Sequence, residues 1–344
     1  MRKVFIERLP GVPLIPLLYP TLGREVRDAL LFLNEAFNDL TEPFVELVDD
    51  PAAADDLLIP HNYSVIRRNT AYLRRYEELS RRHGKRVIVF WHGDGTEEVA
   101  LSHCIVFRTS QYRSTLRKNE VIMPAYTDDL LKGGVPEIRH KGEVPVIGFC
   151  GWAGYKNPRN RLWTLTQSFT MQMLSLCTGS LSFRARTKGL ALRRAAIRRL
   201  AASPLVRTNF LIRDSYSGHR DTIRIDPVQG RREYVDTIRS SDLALTIRGD
   251  GNYSLRFYEA LSMGRVPLFL DTESVLPLEH IIDYAAFTVR VPLADLSRMD
   301  QVAAEFWRGL TDEKFAEMQR RAREAFTEYL SVKAFLTHAV HHFL

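Results

Sequence analysis

The run from Arg248 to Pro267 allows few folds. It reads Arg-Gly-Asp-Gly-Asn-Tyr-Ser-Leu-Arg-Phe-Tyr-Glu-Ala-Leu-Ser-Met-Gly-Arg-Val-Pro. An apolar, partly β-branched stretch, Ser241 to Ile247, precedes it and reads as a strand. Gly249 and Gly251 let the backbone turn sharply and approach a ligand. Asn252 and Ser254 are both residues that cap helix starts. Phe257, Ala260, Leu261 and Gly264 then recur at i, i+3, i+4 and i+7, so one helical face points inward. Gly264 is placed to end that helix, and Val266 to Leu270 restarts as a buried strand. The order is strand, glycine loop, short helix, strand.

The other helical face carries Arg256 and Glu259. Free amides at a helix start, with Arg248 and Arg256 beside them, suit a diphosphate. Glu259, one turn on, is placed to accept hydrogen bonds from ribose hydroxyls. A plainer alternative is a surface i, i+3 pair between Arg256 and Glu259, contributing about 0.2–0.5 kcal/mol. The glycines, the cap and the second arginine favour the pocket. Its expected lining is Arg248, Gly249, Asp250, Gly251, Asn252, Ser254, Arg256 and Glu259.

From about Tyr234 to Glu279 the chain resembles the exostosin family, glycosyltransferase family 47. The likeness rests on Arg248-Gly249-Asp250-Gly251-Asn252, on Ser254-x-Arg256-Phe257-Tyr258-Glu259, and on Gly264-x-x-Pro267. Asp271-Thr272 and Val275-Leu276-Pro277 extend it. The resemblance implies an α/β fold of GT-B type, two Rossmann-like domains facing a cleft with C-terminal helices. It also implies inverting transfer of a sugar from a nucleotide sugar, with UDP the expected nucleotide. A GDP-sugar enzyme is a variant within the class, because related fucosyltransferases have a comparable Glu-bearing motif.

The rest of the chain is compatible with that plan. A length of 344 residues suits two domains rather than one core. Short strands alternate with helices: Val4 to Ile6, a helix over Arg24 to Leu40, a strand over Asp56 to Ile59, a helix over Thr70 to His83, then Arg86 to Phe90. Such alternation predicts parallel sheets. Lys132-Gly133-Gly134 and His140-Lys141-Gly142 are polar breaks. They divide an N-terminal acceptor-side domain, 1–142, from a nucleotide-sugar domain, 143–325. Residues 326–344 are expected to form a helix packing back on the first domain. Weaker exostosin-like segments lie at Ala54 to Pro60, Val89 to Gly95 and Asn119 to Pro124. Residues 178 to 230 carry none.

Inverting transfer needs a base for the acceptor hydroxyl and a stabiliser for the departing diphosphate. Asp94 and His92 follow a strong strand, where open α/β sheets bind ligands, and His61 follows Pro60 in a comparable place. All three are candidate bases. Lys156 and Arg161 follow the turn Phe149 to Gly154. By resemblance Arg161 is a second diphosphate contact. The chain holds no Asp-x-Asp triplet, the usual metal–diphosphate signature of the other glycosyltransferase class. Catalysis without a metal or other cofactor is therefore expected.

The net charge of +7 and pI near 9.3 favour anionic partners. These are a nucleotide-sugar donor, a glycan or glycolipid acceptor and an anionic membrane surface; no nucleic acid is expected. Arg184 to Arg199 holds seven basic residues and no acidic one, with Leu190, Ala191, Ile197 and Leu200 as an apolar edge. It reads either as a solvated face or as a membrane-surface helix. An inactive basic protein that binds acidic glycan or nucleic acid is the alternative from another class. Three scattered cysteines, Cys104, Cys150 and Cys177, form no metal pattern and fit a reducing compartment. The opening residues read as neither signal peptide nor membrane helix, so a cytoplasmic place is expected, with peripheral contact at the inner membrane face. The Arg248-Gly249-Asp250 tripeptide and the sequons at Asn62 and Asn252 carry no weight without secretion.

Overall fold

The computed structural model describes residues 1–24, 33–215 and 221–343. The first sheet holds β1 (Lys3–Phe5), β2 (Glu46–Val48), β3 (Asp56–Leu58), β4 (Val87–Trp91), β5 (Cys104–Arg108) and β6 (Glu120–Ile122) in the order β2-β1-β3-β4-β5-β6. The second holds β7 (Val146–Trp152), β8 (Arg207–Arg213), β9 (Leu243–Thr246), β10 (Val266–Asp271) and β11 (Val289–Pro292) in the order β11-β10-β9-β7-β8. Every pairing within the two sheets is parallel. Helices cover both faces of a parallel sheet, so its central strands are apolar throughout. β4, β5 and β9 are buried at every position.

The helices are α1 (Tyr19–Leu22), α2 (Tyr63–Ile66), α3 (Thr70–His83), α4 (Pro158–Thr178), α5 (Leu181–Ala185), α6 (Gly189–Ala201), α7 (Pro227–Arg239), α8 (Leu255–Ser262), α9 (Met299–Arg308), α10 (Asp312–Ala325) and α11 (Val332–His342). Their ends follow capping chemistry. The Asn69 side chain accepts the Tyr72 amide at the start of α3, and Gly84 closes it. Pro158 sits at the first position of α4 behind the capping Asn157.

Two expectations change. Of the helix expected over Arg24 to Leu40, residues 25–32 lie outside the described residues, and Leu33–Phe37 forms a 3-10 helix. The edge strand β2 was not foreseen; three residues with half-exposed sides give almost no periodicity.

Both sheets have a switch point, where the strand order reverses and α/β proteins bind ligands beyond the strand C-termini. In the second sheet it lies between β7 and β9, which pair at Ile147–Leu243 and Gly148–Ala244. The segment between the sheets is pinned. Arg323 of α10 makes a two-point contact with Asp129, at 2.5 and 2.8 Å. After α10 the chain widens into a turn, Phe326–Leu330, and α11 runs back to the first sheet. There Arg86 donates to the Phe343 carbonyl at 3.0 Å, and the Phe107 and Phe335 rings lie 6.4 Å apart. The division near residue 142 stays our proposal; β6 ends at 122 and β7 begins at 146.

Candidate active site between the two sheets

β7 delivers the chain to Gly151 at the switch point. Its φ is +150°, and an added Cβ would stand 2.8 Å from Nη2 of Arg256. Only glycine lets that guanidinium close in. Arg256, on the first turn of α8, donates to the Cys150 carbonyl at 2.8 Å. Its guanidinium lies 4.3 Å from the Phe149 ring centre and 5.7 Å from that of Tyr234. The enclosed Nε has no partner. No acidic side chain occupies the first turn of α8. A cation beside an uncapped helix start is what an anionic ligand needs.

Glu259 is buried one turn further on. It does not pair with Arg256. Its Oε1 accepts from Arg231 at 3.1 Å, and its Oε2 accepts the Tyr234 hydroxyl. Both partners come from α7. Arg231 also reaches Asp128, at 3.4 Å, in the segment joining the sheets. Burial, then a hydrogen bond with Glu35, pushes the Asp128 carboxyl up to about 6. Arg231 and Asp128 were not among the residues expected. Their only sequence signal is three turns of ordinary polar helix and a Thr-Asp-Asp triplet.

The loop from Arg248 to Ser254 is held from both sides. Arg248 is buried, and its guanidinium donates to backbone carbonyls: Gly249 at 3.2 Å, Asp250 at 3.0 Å, Ala185 at 3.0 Å, and Thr187. The expected diphosphate contact from Arg248 is therefore corrected: it braces the loop. Gly251 meets the first sheet, its amide donating to Oδ1 of Asp94 at 2.9 Å. A Cβ on Gly251 would lie 2.6 Å from that oxygen and 2.9 Å from the Asp94 Cα, so the close approach of the two backbones favours glycine. Gly249 has open space and no left-handed φ, so its own geometry does not require glycine; the chain bends just after it, at Asp250 to Asn252, and its amide donates to the Tyr253 carbonyl at 3.3 Å. Asn252 does not cap the helix. Its amide donates to Ser110 Oγ at 2.8 Å and its side chain to the carbonyls of Gln111 and Thr272. Ser254 holds the cap position but makes no side-chain cap bond. Asp250 is exposed at the rim.

Of the candidate bases, Asp94 stands at this junction. The loop carrying it is fixed by Thr109, which bonds Gly93, and by Ser110, whose hydroxyl donates to the Asp94 carbonyl at 3.2 Å. Burial and the nearby Asp250 raise the Asp94 carboxyl above its ordinary range. His92 stacks on Tyr126, with centres 4.2 Å apart and planes 2° apart. Its Nε2 accepts the Tyr126 amide at 3.5 Å, and burial lowers its pKa to about 4. It is neutral at physiological pH and a weak base. His61 is corrected: it is fully enclosed, Nε2 accepting the Leu9 amide and Nδ1 bonded to the Pro13 carbonyl, each at 2.8 Å. It ties down the segment after β1.

Lys156 and Arg161 lie at the exposed start of α4, beyond the end of β7; the turn expected from Phe149 begins only after Trp152. Lys156 rests over the Trp152 ring at 5.1 Å. The basic run Arg184 to Arg199 divides between α5 and α6, and Leu190 and Leu200 are buried in the core. Its apolar edge is thus used internally and is not open to a membrane. Among the described residues no cluster of acidic, histidine or cysteine side chains could hold a metal ion.

Residues 153–306 match the model of the exostosin GT47 domain. This stretch, just under half of the chain, is exostosin-like. The match takes in β8 to β11, the loop and α8, and also residues 178 to 230, where the sequence showed no likeness. The first sheet, with its three weaker segments, lies outside it. The exostosin domain makes the chain an enzyme of the glycosyltransferase class, and the two facing α/β units are of GT-B type. Among solved structures, HepE of Anabaena in complex with UDP is 10% identical, covering 99% of each chain with a TM-score of 0.45. A glycosyltransferase from Rickettsia africae is 10% identical, covering 86% of this chain and 84% of that one, TM-score 0.41. The spinosyn rhamnosyltransferase SpnG with thymidine diphosphate is 12% identical, covering 99% and 100%, TM-score 0.37. No curated protein matches the chain.

Proposed function

We propose that the protein is an inverting glycosyltransferase that moves a sugar from a nucleotide sugar to a hydroxyl of a polysaccharide, lipopolysaccharide or other glycoconjugate. The observation that carries this reading is the pairing of Arg256 with the Cys150–Gly151 end of β7, at the switch point of the sheet whose other strands fall within the exostosin match. The diphosphate would lie against the start of α8 and Arg256, with Lys156 and Arg161 at the outer edge. Glu259, held by Arg231 and Tyr234, would take the ribose hydroxyls. UDP as the nucleotide rests on the exostosin likeness. Transfer without a metal is supported by cationic and amide groups at the place where leaving-group charge develops. Asp94 is the base we favour. It would take the acceptor proton as the oxygen attacks the anomeric carbon, while the bond to the diphosphate breaks on the opposite face. The reaction would take place in the cytoplasm, on an acceptor that is soluble or lipid-linked.

The test is turnover of a panel of UDP-, GDP- and TDP-sugars followed by proton NMR, with and without EDTA. Transfer from one nucleotide class with an inverted anomeric signal, unaffected by EDTA, supports the reading. A retained configuration or loss of activity in EDTA contradicts the corresponding part. No turnover, with salt-sensitive binding to heparin or RNA, would favour the inactive polyanion-binding protein instead.

A further inference from the structure

α4 is built inside out. The face turned toward the protein is mainly small or polar: Asn160, Thr164, Gln167, Ser168 and Ser175 are buried or half-buried, with Met171 the apolar exception among them. Thr164 and Ser168 return their hydroxyls to their own helix, at 2.7 and 2.6 Å. The outward face is apolar. Leu162 is 65% exposed, Phe169 63% and Leu176 69%, with Leu165 and Met173 on the same stripe and Trp163 at its edge. Leu181 of α5 prolongs the patch. Ordinary surface helices show the opposite pattern, and an exposed apolar patch of this extent marks an interaction site.

The surrounding charge says what covers it. From Val144 to Arg213 the chain holds twelve Lys or Arg and no Asp or Glu. Lys156, Arg159 and Arg161 crowd the exposed start of the helix, and Lys188 lies 3.5 Å over the Trp163 ring. A second copy of the chain would oppose cation to cation. An apolar stripe with an aromatic edge inside an acid-free basic field fits an anionic bilayer, where the stripe enters the acyl boundary and the cations meet headgroup phosphates. No described helix is long and apolar enough to cross a membrane, so α4 would lie in the interface plane.

We infer that α4 docks the protein peripherally on an anionic lipid surface, through Leu162, Leu165, Phe169, Met173 and Leu176. α4 begins four residues after Gly154, so docking would hold the mouth of the cleft at the headgroup layer and present it to a lipid-linked acceptor. That consequence rests on the transferase reading; the docking itself does not.

The experiment is flotation of the full chain with phosphatidylcholine vesicles and with vesicles containing about a third phosphatidylglycerol. The Phe169→Glu, Leu176→Glu double variant is run beside it. Neither side chain packs inside the protein, so circular dichroism and Tm should be unchanged. The wild type should float with the anionic vesicles and largely fail to with phosphatidylcholine alone. The variant should lose binding by about tenfold or more. UDP titrations of both proteins report the donor site separately. A wild type that ignores anionic vesicles, or a variant that binds them equally well, overturns the inference. So does a wild-type dimer that the variant converts to monomer with no vesicle binding.

Discussion

Asp94 accepts the Gly251 amide across the junction and carries a carboxyl raised by burial and by Asp250. Asn at this position keeps an oxygen for that amide but cannot take a proton. Asp94→Asn should therefore lower kcat by about 10²–10⁴-fold while leaving Tm unchanged. Full activity would move the base elsewhere. The sign of the pH dependence follows. The base works ionised, so activity is lost as pH falls through its pKa. Because that pKa is raised, the acidic limb of kcat/KM should lie above the range of an ordinary aspartate. Asp250→Asn removes the like charge and should move the limb to lower pH. The two arginines of the loop separate in the same way. Arg248→Ala strands buried carbonyls and should cost at least about 1–3 kcal/mol of stability in denaturant unfolding. Arg256→Ala should leave stability nearly unchanged and remove nucleotide binding.

The loop and α8 form an element legible in sequence down to its order, because glycine spacing and helical period are local signals. What each residue does there was less legible. Arg248 looks identical to Arg256 in one dimension, yet it is enclosed by the carbonyls of α5 and its following loop, some sixty positions away. Asn252 reads as a cap and serves instead as a clasp to Ser110, Gln111 and Thr272. A long-range hydrogen bond leaves no periodic trace. The inverted α4 was also missed, since its apolar spacing predicts a helix but not which side faces the core. Asn252→Ala opens the clasp and leaves buried carbonyls unpaired. Stability should fall by about 1–3 kcal/mol, and KM for the donor should rise more than kcat falls. A rise in neither would mean that the loop holds its shape without the first sheet.

At the scale of the molecule, alternating strands and helices announced two parallel sheets, and the strand orders give each sheet its switch point. Sequence could not show how the halves are joined. That depends on Arg323 with Asp129, on Arg113 with Glu279 at 2.7 Å, on α11 lying against β5, and on Arg86 meeting the Phe343 carbonyl. These contacts leave the Arg256 and Glu259 side chains between α7, β7 and the segment carrying Asp128, the proposed seat of a nucleoside diphosphate. Calorimetric titration of UDP into the wild type, Arg256→Ala and Glu259→Gln, each in EDTA, tests that placement most directly. The wild type should bind saturably, Arg256→Ala should lose binding, and Glu259→Gln, whose neutral amide is a poorer acceptor, should bind about tenfold or more weakly. Equal binding by all three proteins would contradict that placement.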